Sequence, residues 1–426
     1  MKRKITALCL SFILLFAPGV MAAPSVSAPA AVLIAADSGL VLYAKNEHAR
    51  MYPASTTKIM TAILALENGN FDDMVTVSHD AVFTISYDSS KAGLYEGEII
   101  SFKDLVHTLL ICSANDSANV IAEYVSGSVS AFVDKMNQRA AELGAMNTHF
   151  VNTHGLHHED HYTTAYDLAI LARHAMTLPQ FREIVSMRSY SLAPSNKFDE
   201  TRHFNSTNHL LNPNSPYYYK HAIGIKTGYT DNAKSCLVSS AEANGKTYIA
   251  VVLGAENADG QAMSFVDSRT LLSYGVDSFK PVELCKAGAY AKPIPAKNAK
   301  GTDTVSVHTA AAAAAILPQG TAPESVEMRE YIKKDLEAPV AKGTVLGRRE
   351  YWLGEVKVAE TFLVADSDIE KQGFFARLFG SILSSFWFYL ALVLVLILLF
   401  GRRIKKMKAR RDRRHRAEMR RRSKYQ

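Results

Sequence analysis

Short apolar runs with strand character lie near both ends of the first two thirds of the chain. Residues 31–34 (AVLI) and 40–43 (LVLY) flank the turn sequence DSG, which predicts a β-hairpin. Three further runs follow residue 222, and the last two are separated by Asn244-Gly245, a strong signal for a two-residue hairpin turn. Because hairpins join consecutive strands, the pattern predicts one sheet that is at least partly antiparallel and is built from both ends of this region.

Between the two groups of strands, apolar residues recur at the 3.6-residue spacing of amphipathic helices. One helix is predicted to begin near residue 55, because apolar residues at 59, 60, 63 and 64 would share one face. The same spacing predicts helices over residues 102–124, 130–143, 164–176 and 266–272. The expected fold class is therefore α/β (α+β), an antiparallel sheet flanked by helices, in a domain over residues 24–278.

The last third of the chain begins with alternating apolar and polar positions and ends in two segments of opposite character. The alternation predicts a small β-rich domain over residues 279–366, followed by a juxtamembrane linker over residues 367–380. Residues 381–400 contain no charged side chain and are long enough to cross a bilayer as a transmembrane helix. Residues 401–426 hold fourteen Lys or Arg residues against two acidic residues, so this tail is predicted to stay in the cytoplasm.

The other end of the chain has the pattern of an export signal. A positive start, MKRK, precedes an apolar run over residues 5–16 and the small alanines of VMAA, which together predict a signal peptide over residues 1–23. Residues 24–380 would then lie outside the cytoplasm. A basic tail also occurs in nucleic-acid-binding proteins, but its position directly after the span indicates a membrane anchor, so we expect a membrane partner and no nucleic acid.

Composition limits the classes of protein that remain. Hydrophobic residues make up 48% of the chain and charged residues 21%, which is typical of globular proteins and argues against a largely disordered chain. The net charge of +7 comes from the tail, because the rest of the chain carries an excess of acidic residues. Three cysteines follow the signal peptide, and so small and odd a number argues against a disulfide framework.

Ser55 and Lys58 are three residues apart at the predicted start of a helix, in the sequence PASTTK. That spacing places both side chains on one face, within reach of each other. A serine hydroxyl needs a base to act as a nucleophile, and a lysine can be that base if burial or a nearby cation lowers its pKa. The helix N-terminus adds backbone N–H donors where an oxyanion would form. This SxxK pair occurs once in the chain and is the candidate nucleophile and base.

Two further motifs carry polar side chains suited to the same chemistry. Ser113 and Asn115 follow an apolar run, and there a hydroxyl can relay a proton while an amide holds a peptide carbonyl. Lys226-Thr227-Gly228 lies at the end of a strand predicted over residues 223–227, where Lys beside a hydroxyl can bind a carboxylate and Gly lets another backbone approach. The SxN pattern recurs twice elsewhere, so each motif alone is weak, but the three in this order are far more specific.

The set SxxK, SxN and KTG resembles that of the penicillin-binding proteins and serine β-lactamases. From about residue 31 to residue 275, the chain resembles the serine D-alanyl-D-alanine carboxypeptidases among the low-molecular-mass penicillin-binding proteins. The segments that carry the resemblance are YPASTTK (52–58), SAND (113–116), LG (143–144), NTHGL (152–156), HYTTA (161–165), DLA (167–169) and GIKTGYT (224–230). Members of that family also carry a β-rich domain and a C-terminal anchor in the corresponding places.

The resemblance implies catalytic roles for three residues. Ser55 would be the nucleophile that the substrate acylates, and Lys58 would be the general base. Ser113 would pass a proton to the departing D-alanine. The resemblance implies no cofactor and no metal.

Five substrate-binding residues are implied as well. Asn115 would orient the substrate, and Lys226 and Thr227 would bind its terminal carboxylate. The backbone N–H of Tyr229, beside Gly228, would form an oxyanion hole with that of the nucleophile. The substrate would be a peptidoglycan stem peptide ending in D-Ala-D-Ala, and β-lactam antibiotics would acylate the same serine.

Two stretches depart from the family pattern. Residues 232–234 (NAK) stand where Glu or Ala, Ala and Gly are usual, and Thr153 replaces a frequent Pro. Neither departure touches a catalytic position. The first lies in the loop after the KTG strand, where a change would affect substrate preference.

Three other interpretations remain open on the sequence alone. Four histidines lie between His154 and His161, in HGLHHEDH, a spacing that can ligate zinc, so a metal-dependent D,D-peptidase is one alternative. A class A β-lactamase shares the first motif but ordinarily has SDN where this chain has SAN, and it lacks a large membrane-proximal domain. A non-catalytic β-lactam sensor would be acylated by the drug and would release no D-alanine.

Overall fold

The computed structural model describes residues 23–334, 336–373 and 386–422. The predicted signal peptide lies outside the described residues except for its last position, and so do half of the predicted linker and the first five residues of the predicted span. The chain divides into two compact units. The first holds residues up to Leu284 together with Ala314–Glu327 and Leu353–Ala359, and the second holds the remaining residues from Cys285 onward.

The first unit combines one large sheet with small two-stranded sheets and a set of helices. Its strands before residue 279 are β1 (Ala30–Ala35), β2 (Val41–Lys45), β3 (Met74–Thr76), β4 (Ile99–Ser101), β5 (Ser189–Leu192), β6 (Arg202–Asn205), β7 (Ala222–Thr230), β8 (Lys234–Ala243) and β9 (Lys246–Ala255). Its helices are α1 (Lys58–Asn68), α2 (His79–Phe83), α3 (Phe102–Ile111), α4 (Asn115–Ser126), α5 (Val129–Leu143), α6 (Ala165–Ala175), α7 (Pro179–Val185) and α8 (Met263–Ser278).

The large sheet has the order β2-β1-β9-β8-β7, and every neighbouring pair in it is antiparallel. The prediction of a sheet built from both ends of the region is therefore confirmed. Asn244 and Gly245, at φ of +54° and +68°, form the β8–β9 turn, where both central residues need the left-handed region. In this order β7, which carries the KTG motif, is an edge strand, so the backbone groups along its outer edge have no partner strand in this sheet.

Side chains of the central strands alternate between two hydrophobic clusters, one on each face of the sheet. On β9, Ile249, Val251 and Leu253 belong to the cluster that also contains the buried residues of α1, α3, α4 and α6. The intervening Tyr248, Ala250 and Val252 belong to the cluster on the α8 side. Because a strand directs successive side chains to opposite faces, a nearly continuous apolar run is what a strand covered on both faces requires.

The predicted helix over residues 102–124 is wrong in one respect, because it is interrupted. Helix α3 ends at Ile111 and α4 begins at Asn115, and between them Ser113 adopts a left-handed φ of +65°. The Ala114 N–H donates to the Thr108 carbonyl (3.2 Å) across the break. The apolar spacing continues through the interruption because both helices bury residues in the same cluster, so periodicity alone does not reveal it.

The second unit is rich in strands. The strands of the chain between residues 279 and 365 are β10 (Phe279–Cys285), β11 (Tyr290–Lys297), β12 (Thr304–Thr309), β13 (Ala313–Pro318), β14 (Glu327–Ile332), β15 (Leu336–Glu337), β16 (Val345–Leu353) and β17 (Val356–Ala365). Six of them form a sheet of order β14-β16-β17-β12-β11-β15. A small hydrophobic cluster that includes Val305, Val307 and Leu363 lies against it. The expectation of β-rich structure after residue 279 is confirmed.

A long helix, α9 (Phe386–Arg422), ends the described part of the chain. Its segment Phe386–Ala417 is long and apolar enough to cross a membrane, and its apolar side chains are largely exposed. The basic residues after position 401 continue the same helix. By length and composition, this helix fits a membrane anchor.

Lys234, the first residue of β8 and the last of the three that depart from the family pattern, offers a test of backbone strain. It adopts a φ of +56°, a region that costs an L side chain roughly 1–2 kcal/mol. Lys234→Gly removes that cost but adds the chain entropy of glycine, so we expect the free energy of unfolding to rise by roughly 0.5–1 kcal/mol. Urea unfolding of the detergent-solubilised chain measures the change. Lys234→Ala is the matched control, because it removes the same side chain and keeps the strain; equal stabilisation by both variants would contradict the argument.

Candidate active site

A single cleft in the first unit brings the predicted site residues together. Its volume is about 730 Å³, and its lining includes Ser55, Ser113, Asn115, Thr227, Gly228 and Tyr229. The two remaining predicted residues, Lys58 and Lys226, are buried, with no more than 1% of their surface exposed. Lys58 is hydrogen-bonded to Ser55 and Asn115, which line the cleft, so the three motifs converge on one place.

Ser55 lies in a short 3-10 helix, Ala54–Thr57, that leads directly into α1. The hydroxyls of Thr56 and Thr57 each donate to the carbonyl oxygen three residues earlier, at 2.6 and 2.8 Å. Such local bonds tighten the chain where it enters a helix. The two threonines of the SxxK motif thereby fix the backbone on which Ser55 and Lys58 face each other.

The amine of Lys58 has three hydrogen-bonding neighbours. Its Nζ lies 2.9 Å from Ser55 Oγ, 2.6 Å from Asn115 Oδ1 and 2.8 Å from the carbonyl oxygen of His154. The two carbonyl oxygens can only accept hydrogen bonds, whereas the serine hydroxyl can also donate one. An uncharged amine has two N–H groups and one lone pair, so it matches these neighbours with the lone pair directed to the hydroxyl.

Burial determines the protonation of both lysines. It holds the pKa of Lys58 well below the ordinary 10.5, and the nearby charge of Lys226 lowers this pKa further, while Cys112 and Asp116 raise it. Burial also lowers the pKa of Lys226, to about 7, and the Lys226 Nζ donates to the Thr227 carbonyl at 3.0 Å. Because the charge on Lys226 is itself one cause of the low pKa of Lys58, the site can hold a cation at Lys226 beside a neutral Lys58.

The loop over residues 152–156 contributes a group that no sequence motif identified. Asn152 Oδ1 accepts from the backbone N–H groups of His154 (3.3 Å) and Gly155 (2.7 Å), and this turn accompanies the contact of the His154 carbonyl with Lys58. A Cβ on Gly155 would lie 1.8 Å from the Ala54 carbonyl oxygen, so the glycine lets the loop lie against the SxxK segment. The atom that contacts Lys58 is a backbone carbonyl oxygen, which every residue type has, so the residue type at position 154 does not reveal this contact.

The start of α4 connects the SxN motif to one rim of the cleft. The Asn115 N–H donates to the Ser90 carbonyl (2.9 Å), while its side-chain oxygen contacts Lys58. The buried carboxylate of Asp116 accepts from the backbone N–H groups of residues 92 and 94, at 2.9 and 3.1 Å. These bonds hold the loop that lines the cleft through Ser86 to Ser90, and they place Ser113 and Asn115 relative to it.

The KTG motif lies inside β7 instead of at its end. The strand was predicted to finish at Thr227, but it continues to Thr230, because Gly228 and Tyr229 pair with Cys236 and Ser235 of β8. Pairing with a neighbouring strand outweighs the low strand preference of glycine. A Cβ on Gly228 would lie 2.8 Å from the Ser55 backbone N, so this glycine allows β7 to approach the backbone of the serine closely.

Two of the four histidines between positions 154 and 161, His154 and His161, are buried. His161 Nδ1 accepts from the Val151 N–H (3.0 Å), and its Nε2 lies 2.8 Å from Thr57 Oγ1. Burial lowers the pKa of both His154 and His161 to about 3, so both rings are neutral. Within the ranges that the structure describes, no group of three or more His, Cys, Asp or Glu side chains is arranged to hold a metal ion.

Comparison with known proteins identifies the family. A model of the D-alanyl-D-alanine carboxypeptidases matches residues 18–257, more than half of the chain. The chain belongs to this family. A model of the C-terminal domain of penicillin-binding protein 5 matches residues 279–371. The resemblance inferred from the three motifs is confirmed, and with it the assignment of the chain as a serine-type carboxypeptidase.

Relatives of the family match most of the chain. D-alanyl-D-alanine carboxypeptidase DacF of Bacillus subtilis is 32% identical over 388 residues, which cover 88% of this chain and 96% of DacF. The crystal structure of penicillin-binding protein 5 from Haemophilus influenzae matches with a TM-score of 0.70 and 31% identity, over 82% of this chain and 100% of that one. PBP3 from Streptococcus pneumoniae, a peptidoglycan synthesis regulatory factor, matches with a TM-score of 0.68 and 28% identity over the same shares. These likenesses confirm the predicted fold class.

One departure from the family pattern has a structural explanation. Thr153, where the family frequently has Pro, donates from its hydroxyl to Asn119 Oδ1 (2.7 Å), and its carbonyl accepts from Thr61 Oγ1 (2.5 Å). The loop over residues 152–156 is therefore bonded to both α1 and α4. A hydrogen-bonded threonine here restrains the loop by contacts, where a proline would restrain it by its ring.

The close approach at Gly228 generates a prediction. In Gly228→Ala the added methyl would press on the Ser55 N–H, so we expect β-lactam acylation to slow by at least about tenfold, since a misplacement of about 1 Å can cost 100-fold. The rate of labelling by a fluorescent penicillin measures this. Gly373→Ala is the control, because a Cβ at Gly373 would meet no atom of the described residues within 4 Å. Labelling of Gly228→Ala at the unmodified rate would contradict the packing argument.

Proposed function

We propose that the chain removes the terminal D-alanine from peptidoglycan stem peptides ending in D-Ala-D-Ala, through an acyl-enzyme on Ser55 that Lys58 helps to form. The observation that carries these roles is the set of neighbours around Lys58 Nζ: two carbonyl acceptors and one serine hydroxyl, in a buried position. A protonated Lys58 would direct a third N–H to Ser55 and could not take its proton. The neutral amine can.

Acylation proceeds by transfer of that proton. As Ser55 Oγ attacks the carbonyl carbon of the penultimate D-alanine, its proton moves to the lone pair of Lys58. The carbonyl oxygen becomes an oxyanion, which accepts from the backbone N–H groups of Ser55 and Tyr229. The approach of Gly228 to the Ser55 N supports this pairing, because it brings the two backbones side by side.

Departure of D-alanine requires a proton on its nitrogen. The Ser113 hydroxyl lies in the same cleft and supplies it, taking a proton in turn from Lys58 as the C–N bond breaks. The product is an ester between the peptide and Ser55, with Lys58 again neutral. Water then attacks the ester, the C–O bond breaks, and Ser55 regains its proton. β-Lactams enter by the same first step, because their strained amide stands in for the dipeptide.

Substrate selection is assigned to the β7 wall. Lys226 and Thr227 bind the terminal carboxylate, because a cation beside a hydroxyl is the pair of donors that an anion favours. Asn115 holds the peptide on the opposite wall through its side-chain amide, whose oxygen is already bonded to Lys58. Gly228 and Tyr229 complete the binding strand at the unpaired edge of the sheet.

The location proposed for the chain follows from its two ends. The apolar helix anchors it in the cell membrane with a single pass, the catalytic unit lies outside the cytoplasm, and the basic tail lies inside. Its partners are the stem peptide, β-lactams and the membrane. The proposed division is a signal peptide (1–23), a catalytic domain (24–278), a β-rich spacer (279–366), a linker (367–380), a span (381–400) and a tail (401–426).

Loss of the nucleophile tests the assignment of Ser55. In Ser55→Ala we expect no labelling by fluorescent penicillin and no release of D-alanine from a D-Ala-D-Ala peptide, with thermal unfolding unchanged. Mass spectrometry of the penicillin-treated protein should locate the adduct on Ser55. Ser38→Ala, at an exposed turn position, is the control and should be labelled normally. An adduct that persists in Ser55→Ala would refute the assignment.

The two lysines predict a bell-shaped pH profile of kcat/KM. Activity should fall as the pH drops through the lowered pKa of Lys58, because protonation removes the base. It should also fall as the pH rises above about 7, because Lys226 in the free enzyme then loses the charge that binds the carboxylate. Lys226→Arg keeps its charge, so its alkaline decline should vanish even if its activity is lower. Survival of that decline in Lys226→Arg would contradict the assignment.

A further inference from the structure

Thr207 lines the cleft between β7 and the end of α3. It is the middle residue of a chance SxN match at residues 206–208, and it lines the cleft together with Ser55 and Thr227. Its Oγ1 lies 2.5 Å from Thr227 Oγ1. Its backbone N–H donates to the carbonyl of Ile111 (3.3 Å), the last residue of α3 and two positions before Ser113. One residue therefore links the carboxylate-binding strand to the turn that carries the proposed proton donor.

The chain on both sides of Thr207 is held in place. The Ser206 N–H donates to the Arg188 carbonyl (2.8 Å), which fixes the end of the β5–β6 hairpin. Asn208 Oδ1 accepts from the Leu210 N–H (3.1 Å) and caps the 3-10 helix His209–Leu211, whose leucines are buried. Thr207 is thus presented to Thr227 from a fixed backbone, as a residue that orients another side chain must be.

The two hydroxyls can share their hydrogen bond in either of two directions. A hydroxyl has one proton to donate and two lone pairs. If Thr227 donates to Thr207, only the lone pairs of Thr227 are left for the cleft, and they repel a carboxylate. If Thr207 donates to Thr227, the proton of Thr227 is free to point at the anion that Lys226 attracts. A donor that is itself accepting a hydrogen bond is also the stronger donor.

We propose that Thr207 is a positioning residue for recognition of the terminal carboxylate: its hydroxyl donates to Thr227 Oγ1 and so directs the Thr227 proton to the substrate. This inference rests on the proposed roles of Lys226 and Thr227. It implies that Thr207 sets the preference of the enzyme for peptides with a free C-terminal carboxylate over peptides in which that group is an amide.

The test compares two substrates and two variants of the full chain in detergent. The substrates are one N-acylated peptide ending in D-Ala-D-Ala and the same peptide with a C-terminal amide. Thr207→Val keeps the shape and removes the hydroxyl, so we expect kcat/KM for the free carboxylate to fall about tenfold, mainly through KM, while the amide changes by less than about twofold. Thr207→Ser keeps the hydroxyl and should retain the preference for the carboxylate.

Titration with penicillin counts the competent sites in each preparation, and Thr207→Ala repeats the test should Thr207→Val fold poorly. Thr201→Val is a matched control at an exposed position next to β6 and should change neither substrate. An equal fall for both substrates, or none for the carboxylate, would overturn the proposal.

A double-mutant cycle separates this inference from the proposed function. If Thr207 acts through Thr227, then Thr207→Val should add no further loss for the carboxylate substrate in a Thr227→Val background. A full additional tenfold loss there would overturn the inference and leave the role of Thr227 intact. If Thr227→Val alone left the preference for the carboxylate unchanged, the proposed role of Thr227 would itself be wrong.

Discussion

The site depends on the removal of water from one amine. Burying a charged ammonium costs free energy, so burial favours the uncharged form of the Lys58 amine. The two N–H groups of that form can donate to Asn115 Oδ1 and to the His154 carbonyl oxygen. The third neighbour is Ser55 Oγ, whose proton an uncharged Lys58 can accept. With two carbonyl acceptors and one hydroxyl around it, an uncharged Lys58 can direct its lone pair at the hydroxyl.

Three separate parts of the chain must come together to form this site. Helix α1 brings Ser55 and Lys58, the break before α4 brings Ser113 and Asn115, and the edge strand β7 brings the second cation. Glycines stand where two of these parts come close together, Gly155 against the SxxK segment and Gly228 against the serine backbone. Because β7 is an edge strand, the backbone N–H and C=O groups along its outer edge have no partner strand in this sheet. An extended peptide can lie along that edge.

The sequence predicted the sheet and most of the helices through apolar spacing and turn residues, and it pointed to the eight candidate residues through three motifs and the family resemblance that they carry. Apolar runs and the Asn244-Gly245 turn predicted the antiparallel sheet, and three motifs in order predicted the site. The features it missed leave no such signal. The left-handed Ser113 lies within an unbroken apolar periodicity, the His154 group that contacts Lys58 is a backbone carbonyl, and Thr207 belongs to a tripeptide that matches a motif by chance. Each is decided by tertiary contacts between segments far apart in the chain.

Catalysis as proposed requires that Lys58 lose its proton at a lower pH than Lys226, so that a neutral amine lies beside a charged one. NMR of the chain labelled with ¹³C at the lysine ε-carbon, with signals assigned through Lys58→Arg and Lys226→Arg, follows both amines directly. The account predicts that the Lys58 signal titrates far below 10.5 and the Lys226 signal near 7. A Lys58 signal that stays at the shift of a charged ammonium up to pH 10 would contradict it.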